Sequence, residues 1–473
     1  MILAALSLAA LTTVSLPVTT DDAQAQAIVD QGLFLYYAYD GTDAEGAFAA
    51  AAAREPSLSM AFWGEALADG PDLNTAISAV AFGRAQAAIR RAQTLEGGAT
   101  PRERAFVDAM ALRYAGSWDD RARDDAAYRK AMTEFATASH DANAELLAAE
   151  ALLEHGDSRG ALPFINNVLS TDPTNPMANH LCIHAYDAAA DRAPAVACAQ
   201  RLDAAVFPPQ AEHLAHMPAH VWVETGAYAL AATSSERAYQ LLLQLDTLEH
   251  RGLSAQRYAQ HDISLGYSAA MMLGDYRQAA VWSERMNSVF ARNFDPLTAL
   301  RFGRYADALA GAGTDESFDL PIRGLALLHA NRLADARLTA ALIRKQNGGE
   351  PTRGYLPQLF FARLAEAEGN NREARLWLTR AQENQKAEFF GEIIPSIPAQ
   401  EALGGYLLRR TDFAAAVDAF ENALNAYPND PRVLFGLSAA LTALGKTAEA
   451  EAARDRFDRL WAGADTTLTT ADL

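Results

Sequence analysis

Histidine is concentrated in one part of this chain. Ten histidines occur in 473 residues, and six of them, His180, His184, His213, His216, His220 and His261, fall in one stretch. His180 with His184, and His216 with His220, stand four apart, so on a helix each pair shares one face. Two imidazoles at that spacing can bind a single divalent ion, as they do on one helix of the zinc proteases. A lone histidine on a helix usually paves a polar surface. Six clustering in three adjacent repeat units favour metal ligation over a proton-transfer or structural polar cluster.

Such pairs need helices to present them, and the sequence is helical in character throughout. Ala-rich segments with apolar spacing of three and four are broken by Gly, Asp, Asn and Pro, without any sustained alternating strand pattern. Self-similarity at about 34 residues sets the architecture. Ala416, Phe420, Ala423 and Pro428 stand four, three and five apart, and the same offsets recur at Ala44, Phe48, Ala51 and Pro56 and at Ala161, Ile165, Val168 and Pro173. A second cue, Gly then an aromatic two on and Ala three further, occurs at Gly226, Tyr228 and Ala231 and at Gly274, Tyr276 and Ala279. Small residues let two helices approach closely while the large one fills the gap beside the crossing.

These five segments in register resemble the tetratricopeptide repeat (TPR), over most of residues 28–465. The resemblance implies an all-α fold, a right-handed α-solenoid of degenerate tetratricopeptide repeats with about ten to twelve helical hairpins. It also implies that the first helix of each hairpin lines a concave groove, the default place for function.

With each hairpin numbered so that the small Ala on its second helix is position 20, units begin near Ala142, Pro176, Glu212 and Gln260. His180 and His184 then fall at positions 5 and 9, His213, His216 and His220 at 2, 5 and 9, and His261 at 2. These positions share one helical face, which in the resembled repeat looks into the groove. Glu150 stands at position 9 of the preceding unit, as a ligand or general base, and Asp187 follows at position 12 of the next. Adjacent helices packed about 8–10 Å apart allow long side chains to converge. Pro218 is tolerated in a first helical turn, so the spacing predicts a helix starting around His216 to Pro218, with His213 on an entering loop or distorted turn.

An imidazole donor set suits zinc, copper, iron and nickel alike; we expect zinc or copper ahead of iron. Met217, Met271, Met272 and Cys182 would suit copper, although methionine is more often helix core. The two cysteines, Cys182 and Cys198, fall on the two helices of one hairpin, where they could form a disulfide, remain buried thiols, or supply Cys182 as a copper ligand.

Taken together, "NHLCIHAYD", "EHLAHMPAHVWVETGAY" and "QHDISLGY", with the outer segments "QGLFLYYAYD", "AFWGEAL" and "PSIPAQEALGGYLL", look like an exported bacterial tetratricopeptide-repeat family with HxxxH and HMPxH histidine motifs and no assigned activity. The resemblance implies that His180, His184, His213, His216 and His220 match the family's histidines, with His261 in the usual place after them. The chain departs from that pattern where Gln400 replaces a common histidine before Glu401.

Net charge is −19, with 59 acidic and 40 basic residues, and no basic run offers a phosphate-binding footprint, which argues against nucleic acid. No phosphate loop or nucleophile elbow is present. Asp119, Asp120, Asp124 and Asp125 read as solvated helix faces, and Trp63, Trp222, Trp282 and Trp377 as core. The apolar run Ile2 to Leu16 followed by small residues reads as a signal peptide cleaved after Ala25 or Ala27, although no positive charge precedes it; nothing later is apolar enough to span a membrane. The expected organisation is a signal peptide over 1–27, N-terminal repeats over 28–141, His-rich central repeats over 142–295 and C-terminal repeats over 296–473. The expected function is a periplasmic or secreted repeat protein with a polyhistidine metal site in its groove, whether enzyme or metal carrier; the rival is a scaffold binding peptides or proteins there without catalysis.

Overall fold

The computed structural model describes residues 14–187, 189, 191–346, 354–388 and 395–473. The apolar leader therefore lies outside the described residues except for its last three. Val14 and Leu16 are buried, the Leu16 amide donates to Asp30, and both expected cleavage points fall inside the helix Ala23–Tyr37.

Two compact units divide the chain: residues to Val221 with Gln240–Leu248, and Trp222–Tyr239 with Glu249–Leu473. Each is a stack of antiparallel helical hairpins, and no strand occurs among the described residues. The all-α repeat architecture read from the sequence is thus the one observed.

In the first unit the hairpins pair Ala23–Tyr37 with Gly41–Arg54, Ser59–Ala68 with Ala79–Thr94, Pro101–Arg113 with Arg121–Ser139, Ala142–Leu153 with Ser158–Thr171, and Pro176–Tyr186 with Ala193–Ala204. Half of these ten helices start on an Asp or Asn whose side chain accepts from the first-turn amides, as Asp22, Asp40, Asp141, Asp157 and Asn175 do. The small-large-small residues of the sequence pattern are the seam: Ala44, Phe48, Ala51, Ala161, Ile165 and Val168 are fully buried. A Cβ on Gly64 would lie 2.1 Å from the Phe48 ring, so glycine there lets the next hairpin close over the aromatic. One surface expectation is corrected. Asp124 is buried because its carboxylate accepts from the Gly116 amide and pairs with Arg123.

The second unit repeats the device, with Gly266 against Trp282 and both Gly404 and Gly436 against Phe420. Its first and last hairpins also meet. The Tyr228 hydroxyl donates to the Pro428 carbonyl over 2.8 Å, and Gly226, at φ +72, stands where any Cβ would strike that carbonyl. Asp465 donates its amide to the Gly274 carbonyl, and its carboxylate accepts from the Tyr276 amide.

Candidate metal centre

Five of the predicted histidines gather in the first unit. His180 and His184 lie on the helix Pro176–Tyr186; His213 and His216 lie on the turn of helix Glu212–His216, and His220 follows on Pro218–Glu224. As expected, a helix starts at Pro218 and His213 lies before it, on the short five-residue helix Glu212–His216. Proline removes one donor, but the Met217 amide still reaches the His213 carbonyl at 3.1 Å, so the break is confined to Met217 and the face stays continuous.

Within each pair the ring nitrogens face each other, with Nε2 to Nε2 distances of 3.0 Å for His180 and His184 and 2.9 Å for His216 and His220. The pairs adjoin: ring centroids are 6.2 Å apart for His184 and His220, 5.3 Å for His180 and His213, and 6.0 Å for His213 and His216. His180, His213, His216 and His220 are buried, and His184 is partly exposed. Asn74 donates its amide toward His213 Nε2 at 3.4 Å.

Asp187 decides one tautomer. Its carboxylate lies 2.8 Å from His184 Nδ1, so that nitrogen carries the proton and Nε2 presents a lone pair to His180. The Nδ1 of His180 is buried without a hydrogen-bond partner. A proton on that Nδ1 sets two lone pairs against each other; a proton on Nε2 leaves a buried acceptor unpaired. A cation shared by the two Nε2 atoms relieves both. Burial, reinforced by His184 and His220, holds the His180 pKa well below its ordinary value, so the ring is neutral, as a ligand must be. Zinc–nitrogen bonds of about 2.0–2.1 Å give a tetrahedral edge of about 3.3–3.4 Å, within about 0.5 Å of both pair distances. Each pair therefore fits two adjacent ligand positions on a metal ion.

Glu150 is buried on the helix Ala142–Leu153, and its two oxygens accept from the hydroxyls of Tyr36 (2.6 Å) and Tyr39 (2.9 Å). Burial first, then Glu154, pushes its pKa up to about 8. Tyr39 links it to the histidines, with its ring 4.4 Å from His180 and 5.5 Å from His213, centroid to centroid. His261 sits part-exposed on the helix Ala259–Met272 of the second unit. Met217, Met271 and Met272 are buried.

Sequence reasoning missed Tyr39 and Asn74. Tyr39 ends the first helix in the left-handed region, at φ +64, with its amide bonded to Tyr36 and the Asp40 amide to Leu35, a position where glycine is usual.

Cys182 and Cys198 form a disulfide, with Cα atoms 6.4 Å apart, joining the helix of His180 and His184 to its hairpin partner Ala193–Ala204.

The tetratricopeptide-repeat family matches residues 407–456, which take in the hairpins around Phe413–Ala426 and Pro431–Ala443. The chain is an all-α protein of stacked helical hairpins that carries a tetratricopeptide repeat. No curated protein sequence matches it. Among solved structures it is similar to the APC/C hetero-tetramer Cut9–Hcn1, at 12% identity over 82% of this chain and 77% of that one with a TM-score of 0.36. It is also similar to yeast Tom70, at 12% over 75% and 85% with a TM-score of 0.31, and to the P58(IPK) TPR domain, at 14% over 90% and 99% with a TM-score of 0.26.

Proposed function

We propose that this is an exported, periplasmic or secreted, repeat protein whose first unit holds a transition-metal ion among histidines. The observation that carries the reading is the two i, i+4 imidazole couples, buried but for His184, each closed to about 3 Å at Nε2, with Asp187 orienting His184. His216 and His220 would offer two ligands and the adjoining pair His180 and His184 two more, and His213 borders them. Zinc or copper is expected ahead of iron, since both oxygens of Glu150 are engaged by tyrosines and it adds no carboxylate ligand. Glu150 enters as the anchor of Tyr39. Bound at this site the ion would supply Lewis acidity or, with every position filled by protein, a carried cargo. Export is supported by the apolar leader and by a disulfide, which persists in oxidising compartments.

The test is elemental analysis of the purified full chain beside His184→Ala and His220→Ala. About one zinc or copper per chain in wild type, lost in both variants, is the expected result. Less than about 0.2 metal per chain in wild type after growth in several media overturns the reading. A second reading, a protein- or peptide-binding scaffold, is favoured by the tetratricopeptide repeat at residues 407–456.

A further inference from the structure

The second unit contains a separate cluster of buried charge. Arg301 and Arg432 both donate to Glu401, at 2.7 and 2.9 Å, and all three side chains are almost fully buried. Beside them Arg363 and Arg409 share Glu366, at 2.5 and 2.9 Å. Four guanidinium groups thus meet two glutamates and the buried Asp430, leaving guanidinium donors that these carboxylates do not take up.

What meets those donors is the chain's own segment Thr469–Leu473. Arg432 donates to the Asp472 carbonyl and Arg409 to the Leu473 main-chain oxygen. Tyr305 donates its hydroxyl to the Asp472 carboxylate at 2.5 Å. The leucine side is shaped for it, since a Cβ on Gly405 or Gly436 would lie 2.8 Å or less from Leu473. A cavity of about 70 Å³ adjoins the segment, walled by Asp472 and Leu473 together with Leu325, His329, Leu359 and Arg363. The cleft therefore recognises main chain by arginine, an acidic side chain by tyrosine and charge, and a leucine by two glycine-floored helices, with room beyond.

We propose that this cleft is a binding site for protein segments carrying an acidic residue followed by leucine, and that Thr469–Leu473 is its internal occupant. A partner presenting such a segment displaces the internal copy. This proposal deepens the scaffold reading and does not depend on the metal centre, which belongs to the first unit.

The test uses the full chain and a fluorescein-labelled peptide of sequence DTTLTTADL. Releasing the internal segment with Asp472→Lys and Leu473→Gly raises the fraction of open clefts, so the peptide should bind the variant about tenfold or more tightly than wild type. Adding Arg409→Gln to that variant should lower the affinity again, and a peptide with Lys in place of its penultimate acidic residue should not bind. Equal affinity for wild type and variant, or no binding to a variant that keeps wild-type helicity, overturns the proposal. Should the variant fail to fold, hydrogen exchange of the Asp472 amide in wild type decides, because that amide is bonded to the Thr469 carbonyl. Exchange through local release supports the proposal; exchange only through global unfolding overturns it.

Discussion

Asp187 and Tyr39 show how much of the first unit's site depends on residues that are not histidine. Replacing a carboxylate that orients a ligating imidazole costs about 10–100-fold in metal affinity, so Asp187→Asn should weaken zinc binding by that factor in a competition titration while leaving helicity intact. An unchanged affinity would remove Asp187 from the site. Glu150 makes a different prediction. Its pKa stands at about 8 in the fold against an ordinary 4.5, so between those values the folded protein keeps a proton that the unfolded chain has released. Stability should fall as pH rises through that window and level off above it. Glu150→Gln should flatten the fall, read as melting temperature at pH 5 and pH 8; an identical slope in the variant would show that Glu150 is ionised throughout. The histidines were legible from spacing alone because four-residue intervals on a helix translate directly into a shared face. Tyr39 was not, since its role comes from a helix ending in the first hairpin meeting imidazoles more than a hundred residues later, and single-chain periodicity carries no such long-range contact.

The helical hairpin was the most legible element, since Ala, a large residue and Ala at fixed offsets are dictated by close helix crossing, and Ala416, Phe420 and Ala423 are all fully buried. The helix start at Pro218 was legible because proline's missing donor is local, but the bond from Met217 to His213 that keeps the preceding turn helical was not. The disulfide could not be chosen over free thiols from spacing. It closes a separation of 16 residues, for which loop entropy suggests about 3 kcal/mol. Cys182→Ser with Cys198→Ser should therefore lower unfolding free energy by about 3 kcal/mol in denaturant titration. It should also loosen the helix that carries His180 and His184, weakening metal binding. A loss of stability with metal affinity untouched would show that the hairpin holds its histidines without the bridge.

At the scale of the whole molecule, composition limited the partners and repeat register the fold class, while the division into two units had no sequence signal. Unfolding tests how the second unit is built. Within the second unit the outcome should differ from an ordinary repeat array, where each hairpin leans only on its neighbours and ends fray first. Tyr228 and Gly226 touch Pro428, and Gly274 touches Trp461 and Ala464, across about two hundred residues of chain. Gly226→Ala, which adds a methyl group at a left-handed position against a carbonyl, should destabilise by about 1 kcal/mol or more and lower a single cooperative transition. Separate melting of the last hairpin in wild type would contradict that closure. An open stack can be lengthened by duplicating a unit, because a new hairpin finds the same two surfaces on either side. A stack whose ends clasp cannot. Here one hairpin more or fewer would carry Pro428 away from Tyr228, so the repeat number of this unit is fixed by its clasp, and sequence change is confined to substitution within the hairpins.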